Sequence, residues 1–403
     1  MVICTVKDVS HKGPLGYMLV PRLQERNPLI RNLMSALNHF ARLARMYWPK
    51  VRRVGVRASR QLGIQQVFRL SSQGPTVLFY HGVEPSITDP NVQALHLDIR
   101  AFERQIQHLR RFREIISVEN LADDIAAGRK LDPRRVVLTF DDGYKNNLTV
   151  VAPMLQAWNL PFTVFVSTRH IDEQRRFPTY YVRAAVLYSK KGTVHLRCLM
   201  RIFDTSTLDK RLATMRAINA ILKRVSQEKV DQIVTECREH LSESQWSELD
   251  ARFASETPMT WNDVQSLSQG GTTISAHCHD HCILHEHQSD DEVRRQLRTS
   301  KKLIQKYVGL CRYMAYPNGT WEDISAVAYA GVKAEAYRLC FTTIEGEVTA
   351  STDAYLMPRV FAQPDFEEFC YLLSRTGTLN GHYRTACGAI RARTLRPAAV
   401  PST

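Results

Sequence analysis

Val136-Val137-Leu138-Thr139-Phe140-Asp141-Asp142-Gly143-Tyr144 is the stretch whose reading decides the fold. Five apolar or β-branched residues in a row, closed by a glycine turn, read as a short strand buried on both faces. Polarity then switches on within one residue and leaves two carboxylates at the strand's C-terminal end. Adjacent carboxylates repel, so a metal ion or a shared proton is needed to offset them. The plainer role for such an Asp is to cap the helix that follows. Neighbours on a strand point to opposite sides, so only the turn at Gly143 can bring both into one pocket.

Working outward, similar runs occur at Val77-Leu78-Phe79-Tyr80, ahead of His81-Gly82, and at Phe162-Thr163-Val164-Phe165-Val166. Strands are also predicted over 272–276, 313–316 and 337–343. Helical faces are predicted between them, carried by Phe102, Ile106 and Leu109 and spanning 150–158, 290–307 and 321–330. Strand and helix in alternation predict parallel β/α units. Such units gather their sites at the strand C-terminal ends. Residues 170–257 break the rhythm. They are charged, carry helical patterns over 208–224 and 227–241, and read as a helical insertion.

The chain has 403 residues, 44% apolar and 23% charged, which excludes wholesale disorder and fibrous repeats. Its net charge of +14 invites a nucleic-acid reading. The charge is unevenly placed, however. Residues 1–75 carry 13 Lys and Arg against Asp8 and Glu25, and 375–403 carry five Arg and no acid. The body over 76–374 is left at −2, so no nucleic-acid partner is expected. No run reaches the roughly 18 apolar residues of a membrane span, and the first 20 residues lack the apolar core of a secretory signal. Nine scattered Cys without a CxxC suit reduced thiols. A cytoplasmic protein, peripheral to the inner membrane, is the expectation. Within 1–75, Ile30, Leu33, Met34, Leu37, Phe40, Ala41, Ala44 and Trp48 recur at helical spacing around Arg31, Arg42 and Arg45. This basic amphipathic helix over 29–48 either packs on the body or rests on an anionic membrane surface.

Two further clusters carry chemistry. In Ser275-Ala276-His277-Cys278-His279-Asp280-His281-Cys282, imidazoles four apart share one face of a helical turn. Two such nitrogens can hold Zn²⁺ at about 2.0–2.1 Å. Cys278 and Cys282 share that spacing, so a structural site with mixed Cys and His ligands competes. In Ala315-Tyr316-Pro317-Asn318-Gly319, Pro and Gly fix a tight turn whose N–H can face a pocket as an oxyanion hole. One Asp with two His makes a three-ligand site with an open position, and the second Asp is then free to act as a base.

The order Thr139-Phe140-Asp141-Asp142-Gly143, His277-x-x-x-His281 and Tyr316-Pro317-x-Gly319 resembles the polysaccharide deacetylases with a NodB-homology domain. The resemblance spans roughly 76–374, interrupted by 170–257. The stretch from Val77 to Gly82 and Leu356-Met357-Pro358-Arg359-Val360 also look like family landmarks. It implies an α/β fold, a distorted (β/α)7-type barrel, flanked by a basic N-terminal extension (1–75) and a basic tail (375–403). It also implies removal of an N-acetyl or O-acetyl group from a sugar or polysaccharide precursor by a metal-activated water. The metal implied is Zn²⁺, with Co²⁺ or Ni²⁺ also suited to two His and one carboxylate. By position, Asp141 is implied as the catalytic base and Asp142, His277 and His281 as the metal ligands. The Asn318 N–H is implied at the oxyanion, and Tyr316, Pro317 and Gly319 in the substrate-binding turn.

The sequence departs from the family pattern at several points. Cys278 stands where the family commonly has Ser or Thr. Ala315 stands where many members carry an Arg that orients the catalytic Asp, so Arg359 is expected to serve instead. Leu379-Asn380-Gly381-His382 has the letters of the family's proton-donor motif in polar surroundings, and His279 and His81 are the other candidates. A catalytically idle relative that binds a glycan or a partner is the alternative reading. A peptide of residues 29–48 is expected to bind anionic vesicles in a flotation assay. If it does not, the helix is a packing element.

Overall fold

A computed structural model describes residues 74–375. The basic helix over 29–48 and the Leu379–His382 motif lie outside the described residues. Seven parallel strands form one curled sheet: β1 (Thr76–Tyr80), β2 (Arg135–Phe140), β3 (Thr163–Val166), β4 (Thr273–Ala276), β5 (Tyr313–Ala315), β6 (Leu339–Phe341) and β7 (Val360–Phe361). Their spatial order is β6-β5-β4-β3-β2-β1-β7, with a short strand Glu114–Ile116 alongside β2. A bridge from Phe341 to Met357 carries the lead-in of β7 back onto β6. This is the distorted barrel that the resemblance implies, built from the parallel β/α units that the sequence pattern predicts.

Strict alternation sorts the side chains into two layers. Val77, Val137, Phe165, Tyr313, Ala315, Phe341 and Met357 pack together inside the curl. Leu78, Leu138, Phe140, Val164, Ile274 and Met314 pack outward. Helices Ile99–Phe112 and Asp290–Val308 cover that outer face, each entered through a side-chain cap, Asp98 and Ser289. Burial on both faces explains why these strands read as unbroken apolar runs.

Local expectations for several elements differ from the structure. The helix predicted over 321–330 is a 3₁₀ turn, Trp321–Asp323, followed by a separate helix, Ala326–Ala334. Thr320 caps the first and Ser325 restarts the second. The predicted strand over 337–343 shortens to Leu339–Phe341. The insertion is not wholly helical. Thr193–Leu196 and Arg201–Asp204 form an antiparallel hairpin, turned at Met200 in the left-handed region (φ 50°). Helices Pro178–Tyr188, Leu208–Leu222 and Gln227–Arg238 pack against it through Val182, Val186, Ile218 and Ile233. Among the described residues no helix is long and apolar enough to cross a membrane.

The loop after β2 rests on backbone that few residues adopt. Asp142 has φ 75° and Gly143 has φ 82°. A Cβ at Gly143 would lie 2.8 Å from Val166 Cγ1, a stiff strand side chain. Gly143→Ala is therefore expected to cost about 1–3 kcal/mol, read as a lowered midpoint in thermal unfolding. An unchanged midpoint would contradict this account of the loop.

Candidate active site

Parallel strands deliver their C-terminal ends to one rim, and the polar residues gather there. Alternation along β2 aims Thr139 and Asp141 inward. Asp141 is 2% exposed. Fully buried Arg359, entering from the start of β7, grips its carboxylate with two parallel hydrogen bonds. Nη1 donates to Oδ1 and Nη2 to Oδ2, both at 2.7 Å. The guanidinium is itself held, donating from Nε to the Thr342 carbonyl (2.8 Å) and from Nη1 to Thr139 Oγ1 (3.2 Å). It lies over the Phe79 ring at 4.5 Å. Burial alone would raise the Asp141 pKa; the Arg359 charge overrides it and holds the carboxyl below its ordinary value.

The left-handed turn at Asp142 does what an extended strand cannot: it turns the second carboxylate to the same rim. Asp142 Oδ1 lies 3.2 Å from His281 Nε2 and 3.5 Å from His277 Nε2. Here too burial opposes ionisation, and the close approach of His281 more than offsets it, so the carboxyl stays below its ordinary pKa. His277 Nδ1 donates to the Ala315 carbonyl at 2.7 Å, which leaves Nε2 as the lone-pair nitrogen facing Asp142. Burial lowers the His277 pKa to about 4, so the ring is neutral at pH 7.

One ligand atom from each of Asp142, His277 and His281 lies within 4.8 Å of the other two. Ligands about 2.0–2.2 Å from a common zinc stand about 3.3–3.6 Å apart at tetrahedral angles, close to the separations seen. Asp142 Oδ1 is buried without a hydrogen bond, as a ligand atom awaiting a cation would be. These residues therefore fit a divalent metal.

The route to this geometry is not the predicted one. Residues 277–281 are not helical. Cys278 (φ 62°) and His281 (φ 53°) adopt left-handed backbone, and the loop rather than a helical face brings the two imidazoles together. The competing mixed Cys and His site is absent among the described residues. Cys278 and Cys282 are both buried in the outer apolar layer.

Asn318 sits in the left-handed region (φ 59°) and lines the same cavity. Its side chain is fixed by Asp323 Oδ2 (2.5 Å) and by Lys223 Nζ (2.7 Å). The Tyr316 side chain is placed differently from the substrate-binding position implied for it. It is fully buried in the outer layer and donates to the Tyr355 carbonyl at 3.2 Å. Pro317 and Gly319 shape the turn without lining the cavity, whereas Thr320 and Thr343 do line it. His81, at the end of β1, also lines it, with Nδ1 buried and unpartnered. Burial lowers the His81 pKa. His279 turns away: its Nδ1 meets Thr168 Oγ1 at 2.8 Å.

The cavity measures about 380 Å³. Much of its wall comes from the insertion, including Phe177, Arg183, Asn219, Leu222 and Lys223. Phe177 packs edge-on against His281 at 5.3 Å. The returning chain is tied to the loop after β2, where Met259 N donates to the Gly143 carbonyl at 2.9 Å. No residue pattern in the insertion signals this role, because a pocket wall needs only shape.

The sequence model of the family described as polysaccharide deacetylase matches residues 128–334, half of the chain. The chain belongs to that family, and so to the hydrolases that deacetylate polysaccharides at C–N bonds. The match contains Asp141, Asp142, His277, His281 and Asn318, while His81 and Arg359 lie outside it. Among solved structures, the chain is similar to the Streptococcus pyogenes deacetylase PplD in complex with acetate (16% identity, 74% of this chain and 97% of that one, TM-score 0.48). It is also similar to IcaB from Ammonifex degensii (16%, 75% and 97%, TM-score 0.47) and to the BpsB deacetylase domain from Bordetella bronchiseptica (18%, 72% and 96%, TM-score 0.44). No functionally curated protein matches the sequence.

Arg359→Met leaves the Asp141 charge buried without its partner and is expected to cost about 3–5 kcal/mol in chemical denaturation at neutral pH. The sign with pH follows from the depressed Asp141 pKa. The pair's contribution is complete above the ordinary carboxylate pKa and is lost as pH falls through the lower folded value. The cost of the substitution should therefore shrink on acidification. A cost that is small at neutral pH, or that does not change with pH, would contradict the pairing.

Proposed function

We propose that the protein is a metal-dependent deacetylase that hydrolyses the N-acetyl group of an acetylated sugar or polysaccharide precursor. The observation that carries this reading is the convergence of Asp142, His277 and His281 beside an Asp141 held in place by Arg359, in one cavity. Asp142 Oδ and the Nε2 atoms of the two imidazoles are the ligand atoms. A bound divalent ion, Zn²⁺ by the ligand set and Co²⁺ or Ni²⁺ by the same chemistry, supplies Lewis acidity toward the acetyl oxygen and acidifies a water.

The chain's own residues do the rest. Ala315, through its carbonyl, keeps His277 in the tautomer that leaves Nε2 free. Asp141 remains anionic because Arg359 stays paired with it, and it removes the proton of the attacking water as general base. Both Asp141 oxygens already accept from Arg359, but each retains a second lone pair for that proton. The Asn318 backbone N–H, set by the left-handed turn between Pro317 and Gly319, donates to the developing oxyanion. As the C–N bond breaks, the leaving amine takes the proton that Asp141 removed from the water, and His81, a cavity-lining imidazole, is the group we assign to relay it. His279 is set aside because it faces Thr168.

The test is acetate release from a panel of N-acetylated oligosaccharides with added Zn²⁺ or Co²⁺. Asp141→Asn is expected to lower the rate about 10²–10⁴-fold, the range for loss of a general base, while the protein still binds metal. His81→Ala is expected to lower the rate with metal content unchanged. Absence of metal-dependent release from every substrate would leave a glycan-binding relative without catalysis and would overturn this reading.

A further inference from the structure

Two cations line the cavity, Arg183 and Lys223, and both come from the insertion. Neither has a carboxylate partner among the described residues. The Arg183 side chain, 8% exposed, donates from Nη1 to the Val92 carbonyl at 2.9 Å. Lys223 spends one N–H on Asn318 Oδ1 at 2.7 Å. The carboxylates of the same cavity have their own neighbours. Asp141 pairs with Arg359, Asp142 faces two imidazoles, and Asp280 is held by Arg295 and by Arg169 at 3.6 Å. The protein thus presents two cations there that form no ion pair with a carboxylate among the described residues. Crowding of the Lys223 ammonium at the cavity mouth, by desolvation and by nearby Arg224 and Arg183, lowers its pKa although Asp323 works the other way.

A third group completes the arrangement. Asn219 lines the cavity, and its Oδ1 is buried without a hydrogen bond. Asn219 and Lys223 are four apart at the end of helix Leu208–Leu222, so they share one face. Helix Pro178–Tyr188, which carries Arg183, packs against that helix. An unpaired acceptor suits a sugar hydroxyl, and unpaired cations suit an anion.

We propose that this face of the insertion is a substrate subsite that selects an acetylated sugar bearing a negatively charged group, a phosphate or a carboxylate. Arg183 and Lys223 take the anion, and Asn219 Oδ1 accepts a hydrogen bond from a sugar hydroxyl. The subsite rests on the deacetylase reading for its substrate being an acetylated sugar, but its charge preference is a binding property and can be measured without turnover. Because Lys223 also touches the Asn318 side chain, it couples anion recognition to the turn that carries the proposed oxyanion donor.

The test is calorimetric titration of the full-length protein with N-acetylglucosamine, N-acetylglucosamine 1-phosphate and N-acetylmuramic acid, the last carrying a carboxylate. At least one charged sugar is expected to bind about tenfold or more tightly than the neutral one, and which of the two does so distinguishes phosphate from carboxylate. The preference should weaken as salt is raised. It should collapse in Lys223→Gln, which keeps a donor for Asn318 Oδ1 but no charge. Lys223 is exposed at the rim, so this variant is expected to fold, with an unchanged unfolding midpoint as the check. Asn219→Ala should weaken the charged and neutral sugars alike. Equal binding of charged and neutral sugars, a preference that survives in Lys223→Gln, or no binding of any of the three overturns the subsite. Loss of acetate release with the charge preference intact overturns the deacetylase reading instead.

Discussion

Asp141 and Asp142 are consecutive, buried and both held below their ordinary pKa, and the site is organised around the repulsion that this creates. Two devices separate their environments. Strand alternation sends Asp141 into the curl, where a buried guanidinium with its own fixed partners neutralises it. Left-handed backbone at Asp142 turns the second carboxylate toward two imidazoles. Each device needs the rest of the barrel. Arg359 reaches Asp141 only because β7 lies beside β1, and His277 faces inward only because β4 keeps register with β3. In the proposed function one carboxylate serves as base while its neighbour is offered to a cation, a division of labour set by surroundings rather than by residue type.

Much of this was legible in the sequence. Apolar runs ending in Asp141-Asp142-Gly143, in His277 and in Tyr316-Pro317 announce parallel strands with chemistry at their ends. Burial on both faces makes such strands hard to confuse with surface elements. Arg359 could be picked out because the resemblance implies an Arg where this chain has Ala315, and Arg359 stands in another family landmark. What resisted reading was backbone conformation and long-range shape. The four-residue spacing of His277 and His281 suggested a helical face, whereas left-handed Cys278 and His281 achieve the convergence in a loop. The resemblance implies Tyr316 in the substrate-binding turn, whereas alternation sends its ring outward into the apolar layer. The hairpin at 193–204 was hidden because its strands are four residues each and its turn uses Met200 rather than glycine.

Charge also changes meaning once the fold is known. The +14 of the chain belongs to its two ends, and the body between them is close to neutral. Within that body, two cations of the insertion, Arg183 and Lys223, line the cavity that also holds Asp141 and Asp142. Arg183 and Lys223 disappear in a composition count and become conspicuous only when Asp141 and Asp280 prove to be paired with other arginines. The insertion thus contributes a wall, an aromatic contact to His281 and two cations outside any ion pair to a cavity whose paired Asp residues follow a strand end.

The central claim is that Asp142, His277 and His281 together hold one divalent ion. It is tested most directly by calorimetric titration of Zn²⁺ into chelator-treated protein, beside His281→Ala. His281 is the most exposed of the three ligands, with 27% of its side chain accessible, so its removal perturbs the fold least. The account predicts binding of about one equivalent to the native protein, as a three-ligand site requires, and a large loss of affinity in the variant. No stoichiometric binding, or equal binding by both proteins, would contradict it.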